Sequence, residues 1–182
     1  QFHGREHLNL FVFNDKLKKR DPQLLTALKN KSYTSIPDED YPTMSSTAAF
    51  DFYDVSDNEQ LKPIIKEGLD LFEEVYGYRS NYFTPPVYQI HHSLFPTLKE
   101  NGINYIDLGL VRKEHQGQNN YKTSFNYIGK KADENLIIVV RNIVFEPTED
   151  RGVDWVHFTM KQIERAFRWN KPAIISSHRV NF

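Results

Sequence analysis

Leu136-Ile137-Ile138-Val139-Val140 is an unbroken apolar run made mostly of β-branched residues. A strand with one wet face alternates apolar and polar side chains. A run without alternation suits a strand covered on both faces, as in parallel sheets. Ala173-Ile174-Ile175-Ser176-Ser177 reads as a second strand, after a break at Lys171-Pro172. Ile103-Asn104-Tyr105-Ile106 reads as a third buried strand. Tyr82-Phe83-Thr84 is a short fourth, stopped by Pro85-Pro86.

Between these strands the apolar period changes to that of a helix. Leu61, Ile64, Ile65, Gly68, Leu69, Phe72, Val75 and Tyr76 predict a helix over 58–76. Ser56-Asp57-Asn58-Glu59 has the spacing of a capping box ahead of it, and Gly77 ends it. A further helix over about 153–169 carries the stripe Val156, Met160, Ile163 and Phe167. Shorter helices are expected from Asp21-Pro22 to about Asn30 and over 88–100. Residues 5–19 mix apolar and basic side chains, and 112–135 are polar apart from the aromatic segment Tyr121–Tyr127. Residues 31–57 read as a long loop. Alternating helices and continuous apolar strands point to an α/β fold with parallel pairing, and an open sheet and a barrel both fit.

Length and composition narrow the function classes. The 182 residues suit a single domain over 1–182. A hydrophobic content of 39% is too high for a disordered chain. A net charge of -1 provides no broad basic footprint, which sets nucleic acid aside as a partner. No apolar run approaches the roughly 18 residues of a membrane span. The absence of cysteine excludes disulfides, thiolate metal sites and a cysteine nucleophile. The chain opens at Gln1 without Met and closes directly after an apolar run, so it reads as a piece of a longer protein. Any targeting region would then lie upstream, and the compartment stays open.

Three of the seven histidines stand out by position. His3 and His7 are four residues apart. On a helix that spacing puts both imidazoles on one face, close enough to share a metal, though two unrelated surface histidines fit it too. His178 ends a buried strand, and catalytic groups collect at the carboxyl ends of strands in α/β folds. There it reads equally as a general acid or base or as a hydrogen-bonded core histidine. Arg141-Asn142 follow another buried strand. They can orient a sugar hydroxyl or an acyl group, or Arg141 can tie a loop down in an ion pair. Pro85 and Tyr88 lie in a stiff aromatic segment that suits a sugar ring, or simply packs a strand–loop junction. His91, His92, His115 and His157 read as structural.

His3-Gly4-Arg5-Glu6-His7 also fits the H-x-x-E-H pattern of inverted zinc peptidases. In that reading Glu6 is the base, and Glu73 or Glu74 completes the site. It leaves His178 and the double proline without a role.

A different reading uses more of the chain. His3 and His7, the loop Phe83-Thr84-Pro85-Pro86-Val87-Tyr88 and the strand Ile174-Ile175-Ser176-Ser177-His178 resemble the polysaccharide deacetylase family, carbohydrate esterase family four. The stretches from His3 to Asn9, Arg141 to Pro147 and Lys171 to Phe182 are closest to a bacterial branch of it. The resemblance implies a distorted (β/α) barrel, here incomplete at its N-terminus. It implies a divalent metal, zinc or another first-row ion, held by His3, His7 and an Asp. Its activity would be removal of acetyl groups from an N- or O-acetylated polysaccharide or oligosaccharide. A second Asp would serve as base and His178 as general acid, with Pro85, Tyr88, Arg141 and Asn142 at the substrate. The two acidic residues belong to a first strand ahead of the histidine pair. The chain alone is therefore expected to be inactive or nearly so. Thr84 stands where the family has a loop arginine, for which Arg79 is a substitute. Residues 31–57 then become an insertion shaping the substrate groove. A relative without carboxylates would be a carbohydrate-binding protein and no enzyme.

Overall fold

A computed structural model describes residues 1–32, 34–41, 44–149, 151–178 and 181. The chain enters through Phe2 and a bent segment, then forms α1 (Leu10–Lys18) and α2 (Pro22–Lys29). Asn9 caps α1 by accepting from Val12 N–H, and Asp21 caps α2 by accepting from Leu24 N–H. The longest helix, α3 (Asn58–Tyr76), ends where expected, with Gly77 at a φ of 73°. Its cap differs from the expected one. A capping box forms one turn earlier, between Asp54 and Asp57, and Asp57 makes no side-chain bond to α3. After α3 come β1 (Tyr82–Phe83), α4 (Phe95–Glu100), β2 (Tyr105–Asp107), β3 (Val111–His115) and β4 (Tyr121–Phe125). The chain finishes through β5 (Ile137–Val139), β6 (Ile143–Val144), α5 (Trp155–Arg168) and β7 (Ile175–Ser176). Over 88–100 only α4 is α-helical; two short 3-10 turns precede it.

The pairing runs parallel wherever the apolar strands meet. Phe2 bridges Phe83, β1 pairs β2, and β2 pairs β5 with Ile106 opposite Ile138. Val140–Asn142 lead from β5 into β6, which pairs in parallel with β7. The sheets are small, and among the described residues none is closed. An antiparallel hairpin, β3–β4, fills part of the polar stretch 112–135.

The core lies between α3, α4 and the parallel strands. Phe2, Phe83, Leu69, Leu98, Ile103, Ile106 and Ile138 form it. The stretch 31–57 has little regular structure, but Ala49 and Phe50 belong to this same core. Its last third is thus part of the packing and no surface insertion.

The stripe of α5 faces the other way from a core stripe. Val156 is 66% exposed, Met160 48% and Phe167 61%. The helix buries Trp155, Thr159 and Ala166 instead. The cause lies at β6: Thr159 Oγ1 donates to Val144 O at 2.9 Å, and Val144 N–H donates to Gln162 Oε1 at 3.2 Å. These side chains satisfy strand backbone that would otherwise lack a partner, and so they select the inward face.

Gly68 of α3 lets the entering chain lie directly on the helix. A Cβ there would sit 2.9 Å from Arg5 N and from Phe2 Cζ. Gly68→Ala therefore sets an overpacking penalty of about 1–3 kcal/mol against a helix-propensity gain of about 1 kcal/mol. The expected outcome is net destabilisation in urea unfolding. A more stable variant would show that the entering segment yields without cost.

Candidate functional site at the carboxyl ends of the parallel strands

Each parallel strand ends in a polar group. His3 follows the Phe2 bridge, Thr84 follows β1, Asp107 closes β2 and Arg141 follows β5. Glu146 comes after β6 and His178 after β7. In α/β architectures this rim is where ligands bind, because strand ends and loops can present groups without disturbing the core.

His3 and His7 do meet, but not on a helix. The segment is irregular, Gly4 takes a φ of 98°, and α1 begins only at Leu10. A Cβ on Gly4 would lie 3.2 Å from the Phe50 ring, so glycine is needed both for the turn and for close packing. The two rings are 5.2 Å apart, edge to face. His3 Nδ1 lies 2.7 Å from Thr84 O, and His7 Nδ1 lies 2.5 Å from Thr47 O. A carbonyl only accepts, so each Nδ1 carries a proton, and in the neutral ring Nε2 is then the atom with the lone pair. Fixing the tautomer through a backbone carbonyl is how metal-ligating imidazoles are oriented. Burial, aided by His7 and Arg141, lowers the His3 pKa against the opposing effects of Thr84 O and Asp107. Lowering it favours the neutral, ligating form.

Beside His3 stands a buried ion pair. Arg141 Nε donates to Asp107 Oδ2 at 2.7 Å, and Asp107 is fully buried. Thr84 Oγ1 donates to the same oxygen at 3.3 Å, and Gln1 Nε2 donates to Thr84 Oγ1. Asp107 Oδ1 is buried with no partner among the described residues. Burial pushes the Asp107 carboxyl up, and Arg141 opposes that rise. The Arg141 guanidinium also lies over the Tyr88 ring at 5.6 Å. Tyr88 and Val87 both have positive φ, 58° and 54°. For a β-branched valine this is a true outlier, and such strain collects at binding sites. Pro85 is buried behind this turn.

His178 stands with a different carboxylate. Its Nδ1 is 2.9 Å from Glu146 Oε1, and the ring is 79% exposed. Asn181 Nδ2 donates to Glu146 Oε2 at 2.6 Å. Burial alone would raise the Glu146 carboxyl, but the bonds from Asn181 and His178 outweigh it and hold it below its ordinary value. No described contact joins this pair to the His3 cluster. Asn142 uses its amide on backbone, donating to Pro172 O and accepting from Ile174 N–H. Arg79 is tied to Asp70, Glu73 and Asn101, away from Thr84.

The peptidase pattern lacks its geometry. Glu6 is held by Arg5, with Nη2 at 2.7 Å from Oε1, and Glu73 by Arg79. The segment is not the helix that would aim Glu6 between two histidines.

Sequence reasoning missed Asp107 and Glu146 as site residues. A charged residue closing the buried strand Tyr105-Ile106 was the available signal for Asp107. It also read His91 and His92 as structural. With Glu114 they form a group that can hold a metal ion, their ligand atoms lying within 4.8 Å of one another. His115 bonds Asp51 at 2.6 Å in the interior, and the backbone N–H of His157 is capped by Asp154.

Comparison with protein-family models, with curated proteins and with solved structures finds no match for this chain.

Proposed function

We propose that this chain belongs to a metal-dependent carbohydrate deacetylase with a (β/α)-barrel plan. One observation carries the reading: two neighbouring imidazoles, each with Nδ1–H held by a backbone carbonyl and Nε2 left for a ligand. The parallel strands, each ending in a polar group, support the barrel plan.

His3 and His7 would hold a divalent ion such as zinc, together with a carboxylate. The ion would polarise an acetyl carbonyl and bring the pKa of a bound water to about 7. Asp107 is committed through Oδ2, which accepts from Arg141 and Thr84 inside the protein, and serves here as a positioning group. Its work is to hold Arg141 against Tyr88 as a flat, cationic wall for the sugar, with Pro85 buried behind the turn that carries Tyr88. His178 protonates the departing amine or alkoxide from Nε2, while Glu146 fixes its tautomer through Nδ1–H. The substrate is an acetylated oligosaccharide or polysaccharide.

Acetate release from an acetylated chitooligosaccharide tests this. Release should require zinc, stop with chelator and disappear in the His3→Ala/His7→Ala variant. His178→Ala should lower turnover by roughly 10²–10⁴-fold with metal content unchanged. Chelator-sensitive casein cleavage without acetate release would overturn the reading.

A further inference from the structure

We propose a second metal site, separate from the His3–His7 pair, in which His91 Nε2, His92 Nδ1 and Glu114 Oε1 bind a first-row divalent ion. The donors come from two places in the fold. His91 and His92 open the 3-10 turn ahead of α4, and Glu114 projects from β3. His92 Nδ1 lies 2.6 Å from Glu114 Oε1, His91 Nε2 lies 3.9 Å from the same oxygen, and the two rings are 4.2 Å apart. Nitrogen and oxygen ligands sit about 2.0–2.2 Å from zinc, which sets tetrahedral ligand separations near 3.3 Å. The first distance must open and the second close by similar small amounts. Two imidazoles and one carboxylate suit zinc and its neighbours better than calcium or magnesium.

The surroundings fit this use. His91 and Glu114 are buried, and the His92 side chain is 46% exposed, which provides an entry path. His91 Nδ1 accepts from Ser93 N–H at 3.3 Å and lies 2.8 Å from Ser93 Oγ, so without an ion the ring proton is on Nε2; an ion at Nε2 would move that proton to Nδ1, where Ser93 Oγ can accept it. Without an ion His92 Nδ1 donates to Glu114 Oε1, and to ligate through Nδ1 the ring must carry its proton on Nε2 instead. Arg112 Nη1 lies 3.2 Å from Glu114 Oε2, the oxygen not used for the ion. It holds the carboxylate ionised and oriented, while its charge keeps the affinity moderate. The same guanidinium donates to Ile90 O through Nη2 at 2.6 Å. An ion here would therefore clip the strained Val87–Tyr88 loop region to the β3–β4 hairpin. The three protein ligands leave a fourth position open on the solvent side.

The test uses the His3→Ala/His7→Ala variant, which removes the other site through two exposed residues. Equilibrium dialysis against zinc should give one ion per chain in this background. Adding Glu114→Gln or the exposed change His92→Ala should weaken binding by roughly 100-fold, the upper end of what even outer-sphere changes do. Cobalt should show a visible absorption band in the same background, without any further substitution. No zinc uptake and no cobalt band in the His3→Ala/His7→Ala protein would overturn the proposal. Uptake unchanged by both Glu114→Gln and His92→Ala in folded protein would overturn it too. Acetate release that persists in this background, with this uptake intact, would count against the deacetylase reading alone.

Discussion

Arg141→Met will destabilise the fold by about 3 kcal/mol at neutral pH, because it strands a buried carboxylate. Arg141 Nε is the closest cation to Asp107, which is fully buried at the end of β2. The loss will depend on pH in a definite direction. Burial already lifts the Asp107 carboxyl above 3.8, and removing Arg141 lifts it further. Above the unfolded pKa the folded chain then holds a proton that the unfolded chain has released. Stability must fall as pH rises through that window, up to the folded pKa. The gap between variant and parent should thus be small near about pH 4 and full near about pH 7 in urea titrations. Asp107→Asn in the same background should recover most of the loss. A gap independent of pH would show that Arg141 contributes packing and no charge compensation.

Phe50→Ala will cost about 3–5 kcal/mol, as for other large buried aromatics. Phe50 is 1% exposed, meets Phe83 edge to face at 5.4 Å and backs the Gly4 turn. Val55→Ala, a few residues on and 39% exposed, should stay within about 0.5 kcal/mol. If Phe50→Ala were as mild, the reading of 31–57 as an insertion would gain support. The change should also loosen the zinc site proposed at His3 and His7, since Gly4 sits between them against this ring.

What could be read in the sequence followed burial on a regular period. Leu136–Val140 announced a covered strand, and α3 announced both its face and its end at Gly77. The hairpin β3–β4 was hidden because Lys113, Lys122, Thr123 and Phe125 all face solvent, so no apolar alternation marks it. Helix α1 was hidden because it buries only Val12 and Lys16. In α5 the expected stripe and the buried face are different residues, since the strand backbone selected Thr159 and Gln162. His3 and His7 were found through a spacing rule that does not apply to them: a glycine turn joins them, not a helix. Asp107 and Glu146 look like any other carboxylates until the fold surrounds them. Their roles follow from partners distant in the chain, Arg141 and His178.

The joined rim groups His3, Thr84, Asp107 and Arg141 come from segments scattered over most of the chain length. Bringing them together requires closing long loops, and that entropy is recovered only when the parallel pairs have formed. The site should consequently be cooperative with the entire domain: denaturant should abolish the zinc uptake proposed for His3 and His7 and the far-ultraviolet helix signal at one common midpoint. No peptide excised from this sequence would retain the arrangement, and any lesion that slows strand assembly would delay the onset of binding by the same factor.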